Sequence, residues 1–286
     1  MKQNGIALVI VLWLLMLLTI MATSYSTTMR TETILATHLV QTAQAKALAE
    51  AGIWRAVFEL LNPDEETAWK TDGREYEMEI TNGTVRINIL DENGKIDLNT
   101  AMSELLYGLV KSAGADESER LKILHALLDW RDRDSLVRNF GAEDDDYANA
   151  GYEYGAKDGM FNTIEELQQV MGMTPELYRK MRPALTVHSH QTGINPTYAP
   201  NEVLFAIPGA DAEAILMFLA TRYSPDTVSS SMLPGVDGRF ISLARGRVFT
   251  ITAHGSATDS SYRLEAVVML KRDSNPPFTV LSWEET

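Results

Sequence analysis

The sequence predicts an α+β protein with a long N-terminal helix, an early β-hairpin, a helical middle region and closing strands. No proline interrupts the helix-favouring residues between Thr31 and Leu61. Apolar and polar residues alternate, with the period of a half-buried strand, in residues 74–90 and again from Arg247 onward. Between these two blocks the apolar residues recur every three or four positions, which is the period of a helix.

The N-terminal segment consists of a short polar leader and an apolar run. Residues 1–5 carry one cation, Lys2, and residues 6–22 are apolar apart from one threonine. At about 1.5 Å rise per residue, residues 6–26 span roughly 30 Å, the thickness of a hydrocarbon core. The sequence therefore predicts one membrane-spanning helix whose cationic side is cytoplasmic. The alternative is a secretory signal peptide cut near Ala22, although no A-x-A-like site closes the run.

The helical pattern continues beyond the membrane over residues 27–62. The segment QTAQAKALAEAGIWRAVFELL is rich in alanine and favours a helix, and Asn62-Pro63 ends it. One set of apolar residues recurs at helical spacing and is predicted to pack in the core: Ala47, Ala51, Trp54, Phe58 and Leu61.

The strands are predicted from alternation and from turn residues. REYEMEI and TVRINIL flank Asn82-Gly83, a strong signal for a two-residue hairpin turn. Three more strands, RVFTITAH, YRLEAVVML and FTVLSWEE, follow near the C-terminus. Residues 258–261 are predicted to form a turn, and Pro276-Pro277 separates the last two strands.

The middle region contains amphipathic helices and no catalytic motif. SERLKILHALLDW is a clear amphipathic helix, and two short helices around Pro208-Gly209 resemble a helix-hairpin-helix module. Asp211 lies where such a module would bind phosphate, and the net charge is −14, so nucleic acid is not predicted as a partner. The sequence lacks G-x-S-x-G, Walker and dinucleotide-binding motifs, so we predict no enzymatic activity.

A dense group of carboxylates occupies residues 129–158. Bunched carboxylates repel one another unless a cation neutralises them, and calcium takes oxygen ligands in flexible geometry. The spacing does not match an EF-hand, because Leu136 stands at a ligand position. A solvated acidic loop and a calcium site both remain open from the spacing. The group comprises Asp129, Asp132, Asp134, Glu143, Asp144, Asp145, Asp146, Glu153 and Asp158.

The leader and five internal blocks resemble a known family. A short leader ending in Gly5, an apolar span and a continuous helix resemble the signal of type IV pilins and pseudopilins. The blocks DENGKIDLN, LLDWRDRD, GAEDDDY, GMFNTIEEL and RPALTVHS, in this order, resemble the K pseudopilin family of type II secretion systems. The resemblance implies cleavage by the prepilin peptidase between Gly5 and Ile6 and methylation of the new N-terminus. Most pilins carry Glu at the fifth mature position, whereas this chain has Ile10, which is typical of the K member.

The resemblance also implies the architecture. A pilin-like N-terminal helix would pack on an antiparallel sheet, with a large all-α domain, similar to SAM or helix-hairpin-helix domains, inserted in the sheet. The predicted segments are the leader 1–5, the membrane helix 6–26, its continuation 27–62, the first part of the sheet 63–100, the α-domain 101–240 with the acidic loop 129–158, and the closing strands 241–286.

The family's function implies a structural, non-catalytic role at the tip of the pseudopilus that supports export of folded proteins. The expected partners are the I and J minor pseudopilins, the major pseudopilin, the inner-membrane secretion platform and the prepilin peptidase. The chain would cross the inner membrane once, with its bulk in the periplasm. Its helix would meet neighbouring helices through Leu48, Ile53 and Val57. A minor type IV pilin and a secreted calcium-binding protein with an ordinary signal peptide are the alternatives.

The resemblance favours calcium as a structural ion in the α-domain. A bound ion would fix a loop that is too charged to pack unaided in a protein without cysteine. Asn162 and Glu165 are additional candidate ligands. The predicted ligands are Asp132, Asp134, Glu143, Asp144 and Asp146.

Overall fold

The protein is built around two main hydrophobic cores, one between the N-terminal helix and a sheet and one in an inserted helical domain. The computed structural model describes residues 4–64, 67–81, 83–222, 233, 235–271 and 274–285. Within these residues the predicted α+β architecture, a long helix and an antiparallel sheet combined with a helical region, is confirmed.

Helix α1 (Asn4–Leu60) is one uninterrupted helix that ends shortly before Pro63. Its apolar part has a mean hydropathy of 2.8 and is long enough to cross a membrane. Thr19 and Thr23 donate their hydroxyls to carbonyl oxygens one turn earlier, at 2.7 and 2.8 Å, so that these polar groups are satisfied inside the helix. The predicted cleavage point between Gly5 and Ile6 lies in the first turn, while residues 1–3 of the leader lie outside the described part.

The main sheet has five antiparallel strands in the order β1-β2-β5-β6-β7. The hairpin predicted between the first two strands is present, since Ile80 pairs with Gly83, although Asn82 itself lies outside the described residues. The inserted domain separates β2 from β5 in the chain. The strands are β1 (Asp72–Ile80), β2 (Gly83–Asp91), β5 (Val248–Ala257), β6 (Ser260–Leu270) and β7 (Phe278–Glu285).

The second half of α1 lies very close to the sheet. A Cβ added to Gly255 in β5 would stand 2.1 Å from the carbonyl oxygen of Ala45, and one added to Gly52 would stand 2.7 Å from the Val85 side chain. Glycine is therefore required on both surfaces where helix and strand backbones meet. Ile53 and Val57 of α1 pack in the core between the helix and the sheet and are 0% and 3% exposed.

The structure reverses the two faces predicted for α1. Trp54 and Phe58, predicted to be in the core, are 46% and 65% exposed. Leu48, Ile53 and Val57, predicted to meet partner helices, are buried against the protein's own sheet. Both stripes have helical spacing, so periodicity alone could not separate them. The close approach at the glycines leaves no room for an indole ring, and branched aliphatic side chains fit instead.

The inserted domain carries its own core and a two-stranded parallel sheet of β3 (Ile96–Asp97) and β4 (Leu185–Thr186). The two predicted helices around Pro208-Gly209 are present, and Asp211 caps the second by accepting the Ala214 N–H at 3.2 Å. The helices of the domain are α2 (Ser103–Ser112), α3 (Glu117–Arg131), α4 (Asp144–Asn149), α5 (Pro175–Met181), α6 (Asn201–Leu204) and α7 (Ala212–Thr221).

A buried polar network joins the sheet to the inserted domain where the chain leaves β2 and returns to β5. The Asp91 carboxylate accepts N–H bonds from Asn93, at 2.9 Å, and from Gly246, at 2.8 Å. Next to it, the buried pair of Glu92 and Lys95 is 2.6 Å apart and is hydrogen-bonded to Thr250 of β5. Side chains of the DENGK segment therefore hold together the two points at which the chain passes between the sheet and the inserted domain.

Candidate cation site in the acidic loop

The acidic loop begins where α3 ends. α3 stops at Arg131, and the Asp132 N–H donates to the Leu128 carbonyl at 3.2 Å to close the last turn. Asp129 lies one turn before Asp132 and is completely buried. A buried ionised carboxylate requires hydrogen-bond or charge partners, so the residues around Asp129 determine the path of the loop.

Asp129 organises the loop through backbone contacts. Its Oδ2 accepts the N–H of Ala142, at 3.0 Å, and that of Arg138, at 3.3 Å. A Cβ added to Gly141 would lie 1.7 Å from the same oxygen, so only glycine allows this close approach. Asp129 belongs to the acidic group in the sequence but is not one of the predicted ligands. Its place on the buried stripe of α3 next to Trp130 was the signal that could have identified it.

Arg138 lies between two carboxylates of the loop. One guanidinium nitrogen, Nη1, forms hydrogen bonds with Asp129 Oδ1 and with Asp132 Oδ2. The other cations nearby bind elsewhere: Arg131 donates to the carbonyl of Leu98, at 2.6 Å, and Lys157 pairs with Glu166, at 2.5 Å. Within the part of the chain that the structure describes, Arg138 is the cation that holds these two carboxylates together.

Three carboxylates of the group, Asp132 among them, have an oxygen that is buried and lacks a hydrogen-bond partner among the described residues. These oxygens are Asp132 Oδ1, Glu143 Oε1 and Asp158 Oδ1. Glu143 is only 7% exposed. Asp158 has a positive φ of 52°, a conformation that residues other than glycine rarely adopt. Unpaired buried oxygens and a strained backbone are typical of a site that is completed by a ligand.

The carboxylates also perturb one another electrostatically. Burial, followed by the charges of Asp129, Asp158, Asp132 and Asp144, raises the pKa of Glu143 to about 7. Burial, followed by the charges of Asp144, Asp132 and Asp134, raises the pKa of Asp158. Both pKa values are raised first by burial and then by the neighbouring negative charges, so a cation bound at the group would lower them.

The predicted ligands differ in their surroundings. Asp132 and Glu143 belong to the group with unpaired oxygens, and Asp144 stands beside it against Gly155. Asp134 is exposed, and its Oδ1 accepts the Leu136 N–H at 3.0 Å. Asp146 accepts the Glu143 N–H at 3.1 Å and so takes part in starting α4.

The two additional candidates have partners outside the acidic group. The backbone N–H of Asn162 donates to Glu166 Oε1 at 3.0 Å, which leaves the side-chain oxygen of Asn162 outside this bond. Glu165 accepts the Tyr178 hydroxyl at 3.3 Å and lies 3.7 Å from the Arg182 guanidinium. Asp158 belongs to the acidic group but is not one of the predicted ligands, and its unpaired oxygen makes it a better candidate than either of these two.

The donors fit a hard divalent cation in their chemistry. Calcium prefers carboxylate oxygens in flexible geometry, and the group offers three unpaired ones. As the side chains stand, no three His, Cys, Asp or Glu residues in the described ranges form a group that could hold a metal ion. In this arrangement of the side chains, the positive charge beside Asp129 and Asp132 is that of Arg138.

An aromatic cluster adjoins the acidic group. The Trp130 ring lies 5.9 Å from that of Tyr147 and 6.3 Å from those of Tyr154 and Phe161. Trp130 is 3% exposed and follows Asp129 directly in the chain. Changes in the loop should therefore alter the contribution of Trp130 to the fluorescence of the chain, which has five tryptophans.

Comparison with known proteins gives consistent matches. Residues 85–190, which contain the acidic loop, match the sequence model of the family described as Type II secretion system (T2SS), protein K. A type II secretion system protein K of Pectobacterium carotovorum subsp. carotovorum is 30% identical over 133 residues, 43% of this chain and 40% of the relative. A Klebsiella pneumoniae protein of the same name is 25% identical over 229 residues, 72% of this chain and 70% of the relative.

A solved structure shares the fold. A chain of the crystal structure of the GspK-GspI-GspJ complex from the enterotoxigenic Escherichia coli type 2 secretion system superposes with a TM-score of 0.56 and 19% identity. The superposition covers 90% of this chain and 99% of that chain. The helix, the sheet and the inserted domain are therefore arranged similarly in the two proteins.

Proposed function

We propose that the chain is a member of the type II secretion system protein K family and that it acts as a minor pseudopilin at the tip of a pseudopilus. The family consists of structural pseudopilins and not of known enzymes. At the tip the protein supports the export of folded proteins across the outer membrane.

The two halves of α1 carry this proposal. The first half, through Val40, is exposed along its whole described length and contains the apolar span, whereas the second half packs on the sheet. One rigid helix therefore connects a membrane anchor to a folded domain, which is what a subunit that enters a fibre from the membrane requires. The proposed location is the inner membrane, crossed once, with the sheet and the α-domain in the periplasm.

The proposed partners are the I and J minor pseudopilins, whose relatives are named in the complex that shares this fold. Because Leu48, Ile53 and Val57 are buried in the protein's own core, they are unavailable for contacts between subunits. The uncovered stretch of α1, residues 6–40, is the proposed surface for packing against neighbouring helices. The major pseudopilin, the inner-membrane platform and the prepilin peptidase complete the proposed set.

Calcium belongs to the proposal as a structural ion of the acidic loop. The residues that would hold it are Asp132, Glu143 and Asp158, with Asp134 and Asp144 nearby in the electrostatic group. The ion would supply positive charge to carboxylates that one arginine leaves partly uncompensated. The unpaired oxygen of the buried Glu143 is the observation that supports it most directly.

A processing and secretion experiment tests the main proposal. The gene is deleted in its host, and the strain is complemented with wild-type protein, with Gly5→Leu or with the matched leader variant Gln3→Leu. Wild type and Gln3→Leu should restore secretion of folded exoproteins and yield a mature chain that starts at Ile6 with a methylated amine. Gly5→Leu should remain unprocessed and fail to restore secretion. A mature start near Ala22, or normal secretion without the gene, would contradict the proposal.

A further inference from the structure

Arg138 is the cation that the acidic loop carries within its own sequence. We infer that Arg138 sets the divalent-cation affinity of this loop, because its guanidinium competes with the ion for the same carboxylates. The inference rests on the proposed calcium site, and its test is arranged so that the two can fail separately.

The contacts of Arg138 define the competition. Its Nη1 is hydrogen-bonded both to Asp129 and to Asp132, and Asp132 also carries one of the three unpaired oxygens. One carboxylate therefore faces the guanidinium with one oxygen and remains unpaired at the other. A divalent ion that binds Asp132 would come close to the Arg138 guanidinium. Like charges that are close together repel strongly in a partly buried site.

The charges explain why the guanidinium does not saturate the group. A guanidinium carries one delocalised positive charge in a planar fork, whereas calcium carries two on a compact ion. Asp129 is satisfied by Arg138 and by two backbone N–H groups, so it can keep its place whichever cation is present. Glu143 and Asp158, by contrast, have no such cation partner among the described contacts.

Removing Arg138 should therefore have two opposite effects. Without divalent ions the loop loses its internal cation, and Asp129 keeps only its backbone donors, so the protein becomes less stable. With divalent ions the loop binds more tightly, because the competing charge has gone. A residue that only ties the loop together would produce the first effect without the second.

The experiment measures calcium binding to the full chain in detergent micelles by titration calorimetry, with the change in intrinsic tryptophan fluorescence as a second signal. The variant is Arg138→Met, and the control is Arg133→Met, which removes the same charge from an exposed position in the same loop. Arg138→Met should lower the Kd for calcium by about tenfold or more, and Arg133→Met by less than about threefold. Both proteins are purified in calcium and then chelated, so that a folded starting state is secured.

Arg138→Lys provides a third reading, because it keeps the charge but loses the planar fork. Its Kd should lie between those of wild type and Arg138→Met. If Arg138→Met folds in calcium but binds it no more tightly than wild type, the inference is overturned and Arg138 is a purely structural link. If neither protein binds calcium at millimolar concentration, the calcium proposal fails and the inference fails with it.

Discussion

The Asp91 carboxylate accepts the backbone N–H of Gly246 at 2.8 Å across 155 residues of sequence, and so fixes the exit from the inserted domain to its entrance. A second bond, from the Asn93 N–H at 2.9 Å, occupies the other carboxylate oxygen. The carboxylate is fully buried, and burial raises its pKa to about 6 despite these two donors. Burial at this junction therefore favours the protonated form of Asp91 over the ionised form.

This junction predicts a specific pH dependence of stability. The folded-state pKa of Asp91 is raised above its ordinary value of 3.8. The contribution of Asp91 to stability is therefore greatest below pH 3.8 and is lost as the pH rises through about 6. The loss amounts to at most about 3 kcal/mol. Asp91→Asn cannot ionise, so the unfolding free energy of wild type minus that of the variant should fall between about pH 4 and pH 7. Urea denaturation at a series of pH values measures it, and a difference that stays constant with pH would refute the role of Asp91.

The close contact of α1 with β5 predicts a strong effect of one methyl group. In Gly255→Ala the new Cβ would meet the carbonyl oxygen of Ala45 at 2.1 Å, so the helix must shift away from the sheet. We expect a loss of about 1–3 kcal/mol of unfolding free energy, as for other overpacked cores. Gly238→Ala is the matched control, because its Cβ would meet no atom within 4 Å. Equal unfolding free energies for the two variants in denaturant titrations would show that the contact is not tight.

The acidic loop predicts that calcium stabilises the protein through Glu143. At a calcium concentration about 100-fold above Kd, mass action adds about 2.7 kcal/mol to the stability of wild type. Glu143→Gln should lose most of this gain, yet be no less stable than wild type in chelator, because it removes a buried charge that its neighbours repel. Asp145→Asn, at an exposed neighbouring position, should keep the gain. Melting curves with calcium and with chelator measure the effect, and an unchanged wild-type curve would contradict it.

The limits of sequence reasoning are clearest at α1 and at the acidic loop. Periodicity predicts the helix and the hairpin because both are local patterns. It cannot tell which stripe of α1 faces the sheet, since that depends on Gly255, about two hundred residues away in the chain. Likewise the density of carboxylates indicates a charged site. The bond between Arg138 and Asp129 cannot be predicted from it, because it forms across an irregular loop with no period.

The reversed faces of α1 predict opposite outcomes for two substitutions that are close in sequence. Ile53 is fully buried between helix and sheet, so Ile53→Ala should lower the unfolding free energy by about 2–5 kcal/mol. Phe58 is 65% exposed and contacts the Arg55 guanidinium, 5.4 Å from its ring centre, so Phe58→Ala should cost less than about 1 kcal/mol. Denaturation of the full chain in detergent measures both. The larger loss for Phe58→Ala would restore the face predicted from periodicity. The larger loss for Ile53→Ala would confirm that the exposed Phe58 is not needed for the protein's own fold.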